Sequence, residues 1–337
     1  MTFHLGLCPW GHLLKFRDEQ LEANFMTYIT QAWSRFDLLA GAMVVVMFPI
    51  KLLQGDPIGL SYYVATFLAW LCIPLTILYL HIKHHEFYMR NRLAIVSFFR
   101  FLIPMGCMVV VLLEDVWTNQ DPGQLFARLI TRSTIMDLLM STLGLRVPFQ
   151  HHIALHFLGA TFSSGWIMGL QQACMSDPDV RSSIKAIEGK MELVVSMISM
   201  IGNPGEKLAS GGSLYPCVFL ALYFQLTVGY VFPSALLYVT EVWSRAAYLE
   251  SLAPNDQASR KMIRGYKISS IFKAVLVVPV IMVVCWFGVD AGILMVTKVA
   301  EFEGVESLLP LIGWSCCLVI PLFLSWFGFG SRMPESS

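Results

Sequence analysis

Two groups of histidines are the residues in this chain best placed to do chemistry. The first is His81-Ile82-Lys83-His84-His85, and the second is Gln150-His151-His152 followed by His156. In a helix, residues four apart lie on one face, so His81 with His85 and His152 with His156 would each present two imidazoles side by side. That spacing suits a transition metal, and two such pairs meeting would supply four nitrogen ligands. Other reactive patterns are missing: the sequence has no Walker loop, no dinucleotide glycine fingerprint, no G-x-S-x-G elbow and no H-E-x-x-H. Ser163-Ser164 has no base beside it in the sequence and reads as helix packing.

The H-x-x-H-H spelling of His81 to His85 resembles a histidine box of the membrane di-iron desaturases and hydroxylases. That resemblance implies an iron-dependent membrane enzyme built from several such boxes. Here one box is spelled out, the chain has eight histidines in all including His4 and His12, and Glu86 is the only acid beside either group. Too few ligands accompany His81, His84, His85, His152 and His156, so the residues predict no complete metal centre and no cofactor.

The elements that must position these groups are membrane helices. Hydrophobic residues make up 56% of the chain and charged ones 14%, far below the quarter or so typical of soluble domains, and the mean hydropathy is +0.64. Apolar runs at about 36–53, 60–82, 93–113, 150–171, 214–240, 269–289 and 308–329 approach or exceed the roughly 20 residues that span a bilayer. None alternates as a barrel strand does. The prediction is an all-α polytopic transmembrane bundle with seven clear spans. Pro49, Pro74, Pro104, Pro233, Pro279 and Pro321 fall within six of them and predict kinks. Before the first span, Leu21, Phe25, Tyr28, Ala32, Trp33 and Phe36 recur at helical steps behind Asp18, a good N-cap. Residues 1–35 therefore read as a cytoplasmic segment with an amphipathic helix, 36–330 as one transmembrane domain, and 331–337 as a short tail.

Charge distribution orients the bundle. Lys15, Arg17 and Arg35, then Lys83, Arg90 and Arg92, place the amino terminus and second loop on the cytoplasmic side. Arg260, Lys261, Arg264 and Lys267 form a further basic cluster just before a span, suited to anionic headgroups on that same side. Seven crossings cannot satisfy both placements. An eighth over 125–145 can, despite Arg128, Arg132 and Asp137, and it puts both termini in the cytoplasm. The competing arrangement makes 125–145 an interfacial or re-entrant helix. The expected location is the plasma membrane or an endomembrane, with the lipid bilayer as the evident partner. A formal net charge of zero argues against nucleic acid, and no protein partner is identifiable.

Within the spans few residues are polar. Arg100 and Asp137 lie at matching depth in the eight-crossing layout and are expected to pair, because an isolated charge in hydrocarbon is costly. His156, Gln225 and Thr227 are candidate cavity-lining residues. Cys174 and Cys217 bracket a polar 175–213 loop on the non-cytoplasmic face and are candidates for a bridge. The remaining cysteines show no CxxC or zinc-like spacing. With little catalytic or ion-coupling equipment, the leading expectation is a non-enzymatic sensor, receptor or scaffold. A small-solute transporter or channel using His156, Gln225 and Thr227 is the first alternative, and a metal-dependent membrane enzyme is the second.

Overall fold

A computed structural model describes residues 14, 16, 18–53, 71–113, 122–131, 134–199, 215–252 and 257–303. The predicted span at 308–329 and the first part of 60–82 lie outside the described residues. Every regular element among the described residues is helical. Among the described residues, three helical stretches are long and apolar enough to cross a membrane: Phe149–Ser176, Pro216–Leu252 and Ile263–Met295.

Helix α1 (Glu19–Leu53) begins at Asp18, whose carboxylate accepts from the backbone N–H groups of Gln20 and Leu21 at 2.9 and 3.1 Å. These donors have no partner inside the helix, which is why a short acidic side chain fits there. The amphipathic segment and the first predicted span are thus one continuous helix. It packs on α2 (Ile73–Lys83), where Gly41 permits the approach: a methyl group there would lie 3.2 Å from Leu78 Cγ. Helix α3 (His85–Leu113) follows α2 after a single residue and carries Arg92 and Arg100 on its buried side.

The segment expected to cross as one helix over 125–145 is two helices. They are α4 (Pro122–Thr131) and α5 (Thr134–Gly144). At about 1.5 Å per residue, the 11 residues of α5 extend about 16 Å, roughly half a hydrocarbon core. Helix α5 touches α1, α3, α6 and α10 and buries Thr134, Asp137, Ser141 and Thr142 along with Ile135 and Leu138. Its face polarity explains why it stays inside: four hydrogen-bonding side chains are satisfied more readily against other helices than at an apolar surface.

Helix α6 (Phe149–Phe162) continues through a 3-10 turn at Ser163–Gly165 into α7 (Trp166–Ser176). The polar stretch expected as a loop over 175–213 contains α8 (Pro178–Ser199), a helix whose inner face buries Val180, Ile184, Ile187 and Val195. Its three-and-four spacing of apolar residues accounts for that helix. Helix α9 (Pro216–Leu226) passes through a π turn at Thr227–Val231 into α10 (Phe232–Leu252). This composite helix is almost wholly buried and forms the centre of the molecule. Helix α11 (Gln257–Glu303) is different: Ile268, Phe272, Val275, Leu276, Val280, Phe287 and Met295 are exposed along it. Its inner face contributes Trp286, whose ring meets Phe219 and Tyr223 edge-on at 4.6 and 4.9 Å.

Phe149–Ser176 and Pro216–Leu252 run antiparallel. At one end Cys174 and Cys217 are joined in a disulfide, with Cα atoms 6.6 Å apart. Toward the other, the backbone N–H of Phe149 donates to Glu241 Oε2 at 2.6 Å. Pro104 and Pro279 lie inside α3 and α11.

Candidate functional site

The charges at the Phe149 end are more numerous and more buried than the sequence suggests. Asp37, at the start of the first predicted span, is fully buried. It receives Arg92 Nε and Nη2 at 2.6 and 2.8 Å and the Tyr88 hydroxyl at 2.6 Å. Burial, and then the neighbouring Asp37 carboxylate, hold the Tyr88 phenol above its ordinary value, so it remains a donor. Arg92 also donates to the Arg146 carbonyl at 3.0 Å, tying α1, α3 and the α5–α6 connection together. A second network joins α1 to α10. Arg245 donates to Glu22 through Nη1 at 2.7 Å and Nη2 at 2.9 Å, and to Glu241 Oε1 through Nε at 3.1 Å and Nη2 at 2.9 Å. Its guanidinium lies over Phe16 and Phe25 at 4.8 and 4.2 Å from their ring centroids. The only hint of this network in the sequence is the Glu241 and Arg245 spacing of four.

A third polar site lies deeper, between α3, α5, α6 and α10. Arg100 is eight residues beyond Arg92, or about 12 Å further along the helix. Its guanidinium does not pair with Asp137. Instead Nη2 donates to Thr142 Oγ1 at 2.7 Å and to His152 Nδ1, while Asp137 has contacts of its own. The helical rotation of α5 explains the change, because Thr142 is five residues from Asp137 and projects from a different side of that helix. Arg100 Nε and Nη1 are buried without a hydrogen-bond partner among the described residues.

The histidines around Arg100 are fixed by their bonds. An arginine cannot accept, so His152 Nδ1 is the acceptor and its Nε2–H donates to Ser234 Oγ at 2.9 Å. Ser234 in turn donates to the Tyr230 carbonyl at 2.7 Å. His156 Nε2–H donates to the Gly229 carbonyl at 2.7 Å. That carbonyl lies in the π turn, where the regular helical bonding is displaced. The His152 and His156 rings stack at 4.6 Å, and His156 stacks on Tyr230 at 5.5 Å.

Gln225 sits one turn further from the charged end in a packed polar knot. Its Nε2 donates to the Ala160 carbonyl at 3.1 Å and Ser163 Oγ at 3.3 Å, and its Oε1 accepts from Trp166 Nε1 at 3.3 Å. Thr134 completes the group at 3.4 Å. Thr227 donates back to the Tyr223 carbonyl at 2.7 Å. The three candidate cavity residues, His156, Gln225 and Thr227, are therefore buried and bonded into helix contacts.

The two histidine groups belong to separate networks. His81 contacts the Ser34 carbonyl at 3.2 Å, stacks on Tyr88 and lies against exposed His85, with 3.2 Å between their Nδ1 atoms. His84 is exposed. Among the described residues, no three His, Cys, Asp or Glu side chains converge as metal ligands. The basic cluster opens α11: Arg260, Lys261 and Arg264 are exposed, and Lys267 pairs with Glu250 at 3.0 Å. The chain matches no family model, no curated protein and no solved structure.

Proposed function

We propose that the chain is a non-enzymatic, multi-pass membrane protein of receptor or sensor type. In this reading, the predicted seven spans are joined by an eighth crossing in which α4 and α5 act in tandem. The observation that carries the receptor reading is the use of core polar groups as interhelical ties: Gln225, Thr134 and Ser163 bond one another and Trp166, leaving these groups little role in a water path. Such a core transmits a helix displacement and is poorly suited to conducting solute. The exposed apolar face of α11 suits lipid contact. The disulfide supports an oxidising, non-cytoplasmic environment for its end of the bundle. Arg260, Lys261, Arg264 and Lys267 then lie on the cytoplasmic side, where they attract anionic lipid.

The interruptions at Ser163–Gly165 and Thr227–Val231 favour a second reading. Broken helices meeting inside a bundle are a feature of secondary transporters. Cysteine accessibility in sealed vesicles separates the two. Thr227→Cys should resist a membrane-impermeant thiol reagent from both sides, while Arg260→Cys should react from the cytoplasmic side alone. Labelling of Thr227→Cys from either side would replace the receptor reading with a transporter.

A further inference from the structure

Of the five N–H hydrogens of a guanidinium, Arg100 uses those on Nη2 for Thr142 and His152, while Nε and Nη1 have no acceptor among the described residues. The other buried arginines at the charged end differ in this respect. Arg92 has Asp37, and Arg245 has Glu22 and Glu241. The groups bonded to Arg100 bring no negative charge, because Thr142 is a hydroxyl and His152 accepts through a neutral ring nitrogen. A cation left in this condition inside a helix bundle is costly, and the cost falls when an anion arrives.

We infer that Arg100, flanked by Thr142 and His152, is the binding site for a monovalent oxyanion, whose oxygens accept from the Nε and Nη1 donors. Charge neutralisation and charge-assisted hydrogen bonds are then gained in one event. Arginine suits this task better than lysine, since its donors are spread around a plane. The unpartnered donors are closed off from solvent, so the anion reaches them by local separation of the side chains between α3, α5 and α6. Its binding has a direct route to the bundle centre: Arg100 contacts His152, His152 contacts Ser234, and Ser234 is bonded to the Tyr230 carbonyl within the π turn. The inference rests on the receptor reading for its consequence, but binding itself does not depend on whether solute crosses.

The same anionic oxygen can come from a free ion or from a lipid headgroup. The full-length protein in phosphatidylcholine nanodiscs is titrated with sodium phosphate and, separately, sodium acetate, against sodium chloride at equal ionic strength, with thermal unfolding as the readout. A parallel preparation has nanodiscs containing phosphatidylglycerol. Saturable stabilisation by phosphate or acetate identifies a free-ion site, and stabilisation by phosphatidylglycerol alone identifies a headgroup site. Either supports the inference when Arg100→Gln weakens the response at least tenfold. If Arg100→Gln does not fold, Arg100→Lys must show that weakening. A third measurement uses His152→Gln, whose midpoint for the same anion must shift by at least threefold. Absence of a saturable response in all preparations, or an unchanged midpoint in the folded Arg100 variant, overturns the inference. Thr227→Cys labelling tests the receptor reading separately, so an anion site in a transporter would be recognised as such.

Discussion

Replacing Arg245 by methionine removes the only cation among the described residues that holds Glu22 and Glu241 together. Four charge-assisted hydrogen bonds are lost, at 2.7 to 3.1 Å, and two carboxylates are left buried with, among the described residues, one backbone donor each, Phe16 N–H for Glu22 and Phe149 N–H for Glu241. Breaking a buried ion pair by removing one partner costs about 3–5 kcal/mol. The present case lies at the upper part of that range, because two acids are stranded together. About 1 kcal/mol of the loss is recovered by methionine's contact with Phe16 and Phe25, leaving a net cost of about 3–4 kcal/mol. The assay is reversible denaturant unfolding of the detergent-solubilised protein, followed by tryptophan emission. The decisive comparison is Glu22→Gln/Glu241→Gln/Arg245→Met. If charge stranding causes the loss, the triple variant regains at least half of it, since neutral replacements of buried ion networks are frequently tolerated. A triple variant as unstable as Arg245→Met would show that the loss comes from packing or geometry, and would refute the electrostatic argument.

Arg92→Leu should be destabilising by about 3–5 kcal/mol and Tyr88→Phe by about 1–2 kcal/mol, with Asp37→Asn/Arg92→Leu less damaging than Arg92→Leu when measured by the same unfolding assay. Cys174→Ser/Cys217→Ser, whose native bridge spans a sequence separation of 43, should lose about 4 kcal/mol on the chain-entropy account, and non-reducing electrophoresis should show altered mobility. Gln225→Leu should cost about 2–3 kcal/mol by removing the amide that accepts from Trp166 Nε1 and donates to the Ala160 carbonyl and Ser163 Oγ, seen as a lower unfolding midpoint. Gly41→Val should push against Leu78 and cost about 1–3 kcal/mol, whereas Gly265→Ala, where an added methyl meets nothing within 4 Å, should leave the midpoint unchanged or raise it.

The helical class was legible because apolar runs of membrane length carry their own evidence. The Asp18 cap was equally local, since a single side chain and the next few N–H groups decide it. What stayed hidden depends on distant partners. Asp37 has no partner near it in sequence, and Arg92 and Tyr88 reach it across 55 and 51 positions. Glu22 is one of two acids in the first turn of its helix, and its partner Arg245 comes from 223 positions away. Arg100 and Asp137 illustrate a different failure: matching depth is a one-dimensional criterion, and pairing also requires the right rotation of both helices. The break between α4 and α5 was obscured because hydropathy averages over 125–145 and does not register where a helix stops. In α8, the polar outer face masked an amphipathic helix whose buried side follows the expected spacing.

The π turn has a consequence for how sequence maps onto partners. In an uninterrupted α-helix, the nine residues from Gln225 to Ser234 turn through about 900°, leaving the two side chains about 180° apart. Accommodating one extra residue in the turn removes about 100°, bringing them within roughly 80°. Both can then reach α6: Gln225 at the Ala160 carbonyl and Ser163, Ser234 at His152. The turn acts as a phase shifter, and the identity of every downstream side chain depends on its setting. Deleting Val228 would give a regular helix with the same offset of about 80°, so Ser234, Glu241 and Arg245 would keep their partners, whereas closing the turn with every residue retained would rotate all three away together.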